Sequence, residues 1–399
     1  MNILFLTMNT FTGIDMHNIY SDLMIEFIKN GHKPYIVTPR EKRMGEETTL
    51  INNGDHAILK VQTGNMSGVS LFEKGISTVT LSGKYYRAVK KNLGHIKFDL
   101  ILYSTPPITL VGPVKKLKKQ FSAATYLMLK DIFPQNAVDL GMFSKSSQIY
   151  KYFRMQEEAL YRISDRIGCM SPANVEYVLK HNPDIEKSKV ELCPNAIIPA
   201  EVCDRAQNKQ MVRETYGIPD EAIVYMYGGN LGKPQGIPFL IECLKQNENK
   251  SDRFFFICGK GSEYPVLEAY IKEANPKNIK LIEFLPKEQY DTLVHGCDVG
   301  LIFLDHRFTI PNYPSRALSY MENAMPIICC TDPNTDMGRI AEENGFGMCC
   351  ESNDAAAFTK LIDKLDRDTT KKMGDRAREY LLEQYSIDKI YNIVAEGLK

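Results

Sequence analysis

The feature that most constrains this 399-residue sequence is a short apolar run that leads directly into a glycine-rich turn. Residues Val224 to Tyr227 are apolar, β-branched or aromatic, which predicts a buried strand. Glycines follow, including Gly229 and Gly232, where the backbone can bend tightly and approach a ligand because no Cβ intervenes. A helix beginning at Ile237 would direct its free amides at the turn, and Lys233 adds a positive charge. The pattern predicts a phosphate-binding turn, although an ordinary βα loop with glycines for packing fits the same residues.

Strand and helix patterns alternate along the whole chain. In the second half, strands are predicted at 223–227, 253–258, 279–283, 298–303, 326–330 and 347–350. In the first half, they are predicted at 3–6, 34–38, 98–103, 123–129, 166–170 and 190–193. Repeated units of this kind form parallel sheets with helices on both faces. We therefore expect an α/β protein of two Rossmann-like, doubly wound domains facing across a cleft.

Local signals predict how the domains are bounded. Residues 194–199 are typical of a domain crossing, so we expect domains at 1–198 and 199–380, with a C-terminal helix in 381–399 able to cross back to the first domain. Between 41 and 80 the chain is polar and dotted with glycine, which predicts a mobile excursion. Gly31 is placed for a left-handed helix C-cap, and Ser171 followed by Pro172 predicts a helix start.

Composition limits which classes of binding partner and which cellular compartment fit this chain. The 49 basic and 49 acidic residues cancel, so net charge favours no nucleic-acid partner. The 10 cysteines contain no C-x-x-C pair and lie mostly in apolar runs, which indicates buried reduced thiols. The first residues have no basic n-region, and no apolar stretch reaches the roughly 18 residues of a transmembrane helix. We expect a cytoplasmic protein without metal or cofactor.

Small and charged residues follow several strands, at the edge where open parallel sheets bind ligands. In the second half these candidates are Gly229, Asn230, Gly232, Gly259, Asp305, Pro314 and Ser315. Leu285, in the segment 284–286, is a different kind of candidate, an apolar platform for a flat base, with a simple buried turn as the alternative. Arg316 begins a predicted helix and can fork onto phosphate oxygens, while Ser315 and the neighbouring amides offer a second phosphate site. Solvated loop charge is the alternative for this segment.

The first half contributes its own candidates. Gly13 lies in the loop after the first strand, and Lys130 and Asp131 follow strand 123–129. Charges that emerge from the end of an apolar strand are better site candidates than charges on a helix face. That Lys130 and Asp131 pair with each other or with solvent is the alternative.

One predicted helix carries a basic face. Its lysines fall within an arc of about 160° at about 100° per residue, enough to face anionic lipid headgroups. They are Lys115, Lys116, Lys118 and Lys119. The sequence therefore predicts peripheral contact with the inner face of a membrane, with a solvated helix face as the alternative.

Four segments, in this order, carry a resemblance to a known family. They are Tyr227–Gly236, Pro314–Met321, Ala324–Ile328 and Asn344–Gly347. Together they resemble the family-four retaining glycosyltransferases of the GT-B fold, most closely the bacterial branch that builds capsular or O-antigen polysaccharides. The resemblance implies a nucleotide-sugar donor, UDP-linked, in domain 199–380. It also implies a glycan or undecaprenyl-type lipid-linked acceptor in domain 1–198, and no metal, because protein cations replace it at the diphosphate.

The resemblance also implies roles for single residues. Lys233 and Arg316 would stabilise charge on the β-phosphate, and Lys130 or Asp131 would orient the acceptor or sugar hydroxyls. Lys130-Asp131 stands where the family has His-Asp.

The glycine turn and the segment after it depart from the family pattern. The family's Arg and Lys near the turn are Asn230 and Gln235 here. Its two glutamates, eight apart, fall on Pro311 and Ser319. The candidates to replace them are Asp305, Ser319 and Glu322.

The expected reaction is transfer of a hexosyl or N-acetylhexosaminyl group with retention of anomeric configuration. A nucleotide-sugar 2-epimerase of the same architecture is one alternative. A non-catalytic nucleotide-sugar-binding subunit is another, favoured by the two missing glutamates. A dinucleotide dehydrogenase is disfavoured because no G-x-G-x-x-G follows the first strand.

Overall fold

A computed structural model describes residues 1–66, 68, 71–201 and 205–396, without the side chains of 71–76. Two compact units are formed, the first by Met1–Ile198 with Ile387–Lys399 and the second by Pro199–Ser386. The second unit therefore extends six residues beyond the predicted boundary at 380.

The first unit alternates strands and helices. Its strands are β1 (Asn2–Leu6), β2 (Lys33–Glu41), β3 (Thr49–Asn52), β4 (Ala57–Thr63), β5 (Leu100–Ser104), β6 (Ala124–Leu129), β7 (Arg166–Cys169) and β8 (Val190–Leu192). Its helices are α1 (Ser21–Lys29), α2 (Leu71–Leu93), α3 (Val111–Phe121), α4 (Gln135–Asp139), α5 (Gln148–Ile163) and α6 (Pro172–His181), with α15 (Ile387–Glu396) added from the end of the chain.

These strands form one sheet in the order β3-β4-β2-β1-β5-β6-β7-β8. All of its pairs in the described chain are parallel except β3 with β4. Residues 3–6 are fully buried, as expected for a central strand covered on both faces. Because β1 lies between β2 and β5, the winding direction reverses there, and the loop with Gly13 follows β1 at this switch point.

The prediction of a mobile excursion from 41 to 80 is wrong. Strands β3 and β4 pair within it, and β4 also pairs with β2 over seven residues, from Tyr35↔Ala57 to Glu41↔Thr63. Helix α2 then begins at Leu71, so the last ten residues of this stretch are helical. The residues of β3 are mostly exposed, as is usual for an edge strand. Its sequence therefore lacks the run of apolar residues that predicts a buried strand.

The second unit has its own sheet and surrounding helices. Its strands are β9 (Ile223–Gly228), β10 (Arg253–Cys258), β11 (Ile279–Ile282), β12 (Val299–Phe303), β13 (Ile327–Thr331) and β14 (Gly347–Glu351). Its helices are α7 (Ala206–Tyr216), α8 (Ile237–Asn247), α9 (Tyr264–Ala274), α10 (Lys287–His295), α11 (Arg316–Glu322), α12 (Met337–Glu343), α13 (Ala355–Ile362) and α14 (Arg367–Gln384).

This second sheet is parallel throughout the described strands, in the order β11-β10-β9-β12-β13-β14. Strand β9 is buried along its whole length and stands between β10 and β12. The chain runs outward from β9 on one side and from β12 on the other, so the switch point lies at the carboxyl ends of these two strands. The prediction of two Rossmann-like, mainly parallel α/β domains is confirmed.

Local features bear out the helix signals. Gly31 has φ of +76°, the left-handed conformation of a C-cap, and Ser171 accepts a hydrogen bond at 3.3 Å from the amide of Asn174 at the start of α6. The C-terminal segment is not one helix, because residues 381–384 end α14 and α15 begins at Ile387. Nine cysteines of the described chain are free thiols, while Cys203 lies outside the described residues.

Candidate functional site

The glycine turn after β9 packs backbone against backbone with the turn after β10. A Cβ on Gly259 would lie 1.7 Å from the carbonyl oxygen of Gly229, and one on Gly261 would lie 2.1 Å from that of Leu231. Gly229 itself has φ of +125°, which L side chains rarely adopt. The glycines at these two neighbouring strand ends are thus required for close packing of the two turns as well as for the approach of a ligand.

Three amides of this turn already donate hydrogen bonds within the protein. Gly229 donates to the carbonyl oxygen of Cys258 at 2.9 Å, and Leu231 donates to that of Lys260 at 2.7 Å. Gly232 donates to Oε1 of Gln235 at 3.1 Å. In the folded turn these three amides have no free hydrogen to donate to a phosphate. The predicted phosphate-binding role of the turn is therefore corrected for these amides.

The turn contacts the loop that follows β12. The amide of Asp305 donates to the carbonyl oxygen of Pro234 at 2.9 Å, and a Cβ on Gly236 would lie 3.3 Å from the Cα of Asp305. Lys233 precedes Pro234, is exposed and makes no ion pair with any described residue. Asn230 is tied to the same turn, since its Nδ2 donates to Oε1 of Gln235 at 2.9 Å. Two predicted parts of the site, the glycine turn and the Asp305 loop, therefore meet.

Arg316 reaches the glycine turn from the start of α11. Its guanidinium carbon lies 4.5 Å from the ring centroid of Tyr227 and 3.3 Å from the position of a Cβ on Gly229. Its Nη1 is buried and has no hydrogen-bond partner. Burial acts to lower the pKa of Arg316, but the phenol groups of Tyr227 and Tyr320 outweigh it and the pKa is raised. A permanent cation with an unused donor is therefore held beside Gly229.

The tyrosines around Arg316 were not predicted as site residues. Tyr320 accepts a hydrogen bond from the amide of Gly228 at 2.9 Å, and the hydroxyl of Tyr290 would lie 1.9 Å from a Cβ on Gly228. Burial raises the pKa values of Tyr227, Tyr290 and Tyr320, so these phenols stay protonated at neutral pH. Tyr320 stands four residues after Arg316, on the same helix face, and that spacing was the available sequence signal.

Asp305 is fully engaged by a neighbour. Arg307 donates from its amide and Nε to Oδ1 at 3.0 and 2.9 Å, and from Nη2 to Oδ2 at 2.8 Å. Burial acts to raise the pKa of Asp305, but the bonds from Arg307 outweigh it and the pKa is lowered. The carboxylate stabilises its own loop, which does not fit the predicted role of replacing a missing glutamate.

The rest of this loop is fixed by the turn after β13. The hydroxyl of Thr335 accepts from the amide of Asn312 at 3.1 Å, and Asn334 donates from Nδ2 to the carbonyl oxygen of Phe308 at 2.8 Å. Asp332 holds that turn, since its Oδ2 accepts from the Thr335 hydroxyl at 2.8 Å. The segment from Asp305 to Arg316 is therefore pinned at both its beginning and its middle.

The remaining candidates on α11 do not all lie with Arg316. Ser315 is exposed and makes no capping bond through its side chain, and Pro314 precedes it. Ser319 lies one turn into the helix. Glu322 accepts from the amide of Ala200 at 2.6 Å and stands about 9 Å along the axis from Arg316. Glu322 thus binds the backbone at Ala200, and its contact with the donor stays a prediction.

An exposed aromatic ring marks the end of β11. Phe284 is 66% exposed, and Nζ of Lys260 lies 4.9 Å from its ring centroid. Leu285, the predicted contact, follows it and is half-buried. A flat apolar surface is present here, next to the Gly259 turn, but Phe284 supplies more of it than Leu285.

In the first unit, Lys130 and Asp131 do not pair with each other. The Nζ of Lys130 is buried without a hydrogen-bond partner, and burial lowers its pKa. Burial raises the pKa of Asp131 to about 6, and its Oδ1 accepts from Nδ2 of Asn136 at 2.8 Å. Both amides are held by the hydroxyl of Thr105, at 3.1 and 3.3 Å. The two side chains are thus rigidly presented titratable groups with unusual pKa values.

Two further candidates of the first unit have simpler surroundings. Gly13 lies in the loop after β1, where a Cβ would meet Oδ1 of Asp15 at 2.6 Å. Lys118 turns away from the predicted basic face and donates to Oδ1 of Asp165 at 2.6 Å. Its neighbours Lys115, Lys116 and Lys119 are exposed.

Within the described residues, no group of three or more His, Cys, Asp or Glu side chains is placed to hold a metal ion. In the same part of the chain, no helix combines the length and apolar character needed to span a bilayer.

Comparison with known proteins shows what the second unit resembles. Residues 208–380, less than half of the chain, match the family described as glycosyl transferases group 1. A probable glycosyltransferase of Pseudomonas aeruginosa, WbjE, is 25% identical over 300 residues, which cover 72% of this chain and 71% of the relative. The putative colanic acid biosynthesis glycosyl transferase WcaI of Escherichia coli is 21% identical over 276 residues, covering 67% and 66%.

Solved structures extend the likeness to the whole chain. Sucrose-phosphate synthase of Thermosynechococcus elongatus has a TM-score of 0.78 at 15% identity, covering 99% of this chain and 98% of that one. HepE of Anabaena in complex with UDP-glucose has a TM-score of 0.70 at 13% identity, covering 100% and 99%. At such identity the likeness shows the fold alone, and the predicted GT-B fold is confirmed.

Proposed function

We propose that this protein is a retaining glycosyltransferase that moves a hexosyl or N-acetylhexosaminyl group from a UDP-sugar to a glycan or an undecaprenyl-type lipid-linked glycan. The single observation that carries the proposal is Arg316, a half-buried cation whose Nη1 is buried without a hydrogen-bond partner beside Gly229, at a sheet switch point. A buried charge without a counter-charge is unfavourable, so such a group favours binding of an anion. The structure of HepE with UDP-glucose and the names of WbjE and WcaI support a nucleotide-sugar donor and polysaccharide synthesis.

The proposed chemistry is electrostatic. As the glycosidic bond to the diphosphate breaks, negative charge grows on the β-phosphate, and Arg316 and Lys233 stabilise it without a metal or other cofactor. Fixed cations in a partly desolvated site stabilise such charge more strongly than water does. In the first unit, we assign Lys130 or Asp131 to orienting acceptor or sugar hydroxyls.

The test is a thermal-shift screen of UDP-, GDP- and dTDP-sugars, followed by transfer assays with lipid-linked and free glycan acceptors. A ligand that binds only the folded protein raises its melting temperature, so the donor should be found first. We expect a UDP-sugar to give the shift, transfer to continue in the presence of a chelator, and the product anomer to match the donor. No shift from any nucleotide sugar would refute the proposal.

A non-catalytic nucleotide-sugar-binding subunit is the second candidate. It is favoured by Pro311 and Ser319 at the family's glutamate positions and by the commitment of Asp305 to Arg307. Donor binding without turnover across the acceptor panel would support it. An epimerised nucleotide sugar after incubation with donor alone would instead support the 2-epimerase alternative.

Peripheral contact with the inner face of the cytoplasmic membrane is a separate part of the proposal. Lys115, Lys116 and Lys119 remain available on α3, whereas Lys118 is paired with Asp165. We also propose a role in a capsule or O-antigen pathway, because the sequence resemblance that implies a lipid-linked acceptor also implies such a pathway.

A further inference from the structure

Large apolar side chains are exposed at the start of α5 and in the loop before it. They are Met142, Ile149, Tyr152 and Met155, with 58, 55, 41 and 55% of their surface exposed, and we refer to them as the α5 ridge. The three on α5 recur every three residues, so they fall within an arc of about 120° on one helix face. Grouped exposed apolar side chains indicate a contact surface, whereas scattered ones need no explanation.

The ridge is not needed to pack this segment onto the first unit. That packing comes from phenylalanines on the inner side, where the ring centroid of Phe133 lies 4.9 Å from that of Phe153 and 6.3 Å from that of Phe143. Further along α5, Glu157, Leu160 and Tyr161 are buried. The ridge therefore points away from a core that is already complete.

Positive charge accompanies the ridge. Residues 140–156 contain Lys145, Lys151 and Arg154 and no acidic residue, in a chain whose formal net charge is 0. Arg154 is paired with Glu157 at 2.5 Å, but Lys145 and Lys151 are exposed and form no ion pair with any described residue. At about 100° per residue, Lys151 lies about 40° beyond Met155, at the border of the ridge.

We propose that the α5 ridge inserts into an anionic lipid surface. An apolar helix face bordered by lysines is the composition of helices that lie in the membrane interface, and Tyr152 has the amphipathic ring that favours this depth. Lysines at the border attract anionic headgroups. Helix α5 packs on α3, so the exposed lysines of α3 belong to the same helical layer of the first unit.

A second copy of this chain fits the ridge less well. Two ridges facing each other would bring together the borders that carry Lys151. The carboxylate on the same border, Glu158, is already paired with Arg154 and Arg162. The inference rests on the membrane part of the proposed function and names the surface that makes the contact.

The test is co-sedimentation of the full chain with vesicles of phosphatidylcholine alone or mixed with phosphatidylglycerol. We expect binding to the anionic vesicles that weakens with salt. The double variant Ile149→Asp/Met155→Asp replaces two exposed apolar side chains with charges, so partitioning should fall by at least about tenfold. The matched control is Val266→Asp/Leu382→Asp, which changes two residues of the second unit that are 50 and 48% exposed, and should bind as the wild type does.

Circular dichroism and the UDP-sugar thermal shift, measured on each variant, separate this inference from the transferase proposal. Loss of vesicle binding with an intact donor shift supports the ridge, whatever the transfer assay shows. Equal binding of the ridge variant and the control overturns the inference. So does a wild-type dimer in light scattering that the ridge variant converts to monomer, because the ridge would then be a self-association surface.

Discussion

Arg316 occupies a position that favours binding of an anionic ligand but lowers the stability of the ligand-free protein. Its guanidinium has Tyr227 on one face and Gly229 beside it, yet it has no carboxylate partner among the described residues. Burying a charge without its counter-charge is unfavourable, and a bound diphosphate would supply that counter-charge.

Replacing Arg316 with Met should therefore affect stability and activity in opposite directions. Met has similar length without charge, so we expect the ligand-free melting temperature to stay the same or rise. The UDP-sugar thermal shift should be lost, and transfer should fall by roughly 10²–10³-fold, as when one charge-stabilising donor is removed from an active site. Arg339→Met, at an arginine paired with Glu343 on the exposed face of α12, is the control. A retained donor shift in the Arg316 variant would contradict the assignment.

Asp131 makes a prediction about pH. Its pKa of about 6 in the folded protein exceeds the ordinary aspartate pKa of 3.8, so the folded state binds more protons than the unfolded state between these two pH values. Stability should consequently fall as pH rises from about 4 to 6, by roughly 2–3 kcal/mol for this group, and level off above that range.

The variant Asp131→Asn removes this titration. Its unfolding free energy should exceed that of the wild type at pH 7 to 8, and the difference should disappear near pH 4. Denaturant unfolding across this range provides the measurement. A difference that does not change with pH would show that Asp131 titrates normally.

Among the elements, the strand-turn-helix units of β9 and β10 depend on close backbone contact. A Cβ at Gly259 would collide with the carbonyl oxygen of Gly229, which is backbone and cannot rotate away. The two turns therefore hold each other in position beneath Arg316.

Gly259→Ala should destabilise the second unit by about 1–3 kcal/mol or more, because overpacking forces a backbone shift. The matched control is Gly112→Ala on α3, where a Cβ meets nothing within 4 Å and the helix gains propensity, worth about 0.5–1 kcal/mol. Denaturant midpoints of the two variants should move in opposite directions. A neutral Gly259 variant would indicate that the turns move apart readily.

The sequence predicted the strands of the second sheet almost to the residue, because continuous apolar runs such as Phe254–Cys258 are fully buried. It missed β3 and the start of α2, where exposed residues carry no apolar period. At the site, it found Arg316 and the glycine turn from residue type and position. It missed Tyr290, because which aromatic side chain approaches a glycine depends on helix packing that no local pattern records. It also missed Tyr320, although the spacing of four residues from Arg316 was a usable signal.

At the scale of the whole molecule, the chain returns to its first unit at the end. Helix α15 packs against α1, with Ile387, Ile390 and Val394 at 4, 2 and 0% exposure in the core of the first unit. Tyr391 adds a hydrogen-bond contact to Nε2 of His32 at 3.0 Å.

Ending the chain after Ser386 should therefore weaken the first unit selectively. Three buried aliphatic side chains are lost, which corresponds to roughly 5 kcal/mol or more of apolar burial. Hydrogen exchange should rise in peptides of α1 and β1, while peptides of β9 and β12 keep their protection. Unchanged exchange in α1 would show that α15 contributes little. The double substitution Lys389→Ala/Glu396→Ala in α15 spares its three buried side chains and serves as a control.

The position of α15 also has a consequence for biosynthesis. On the ribosome, residues 1–198 emerge before residues 199–386 but lack three side chains of their own core until residue 394 has been made. The intervening unit, by contrast, is contiguous in the chain and has all its parts as soon as Ser386 leaves the exit tunnel. Of the two units, the one translated earlier is thus completed later, and its apolar surface around α1 stays exposed while the second unit is being synthesised.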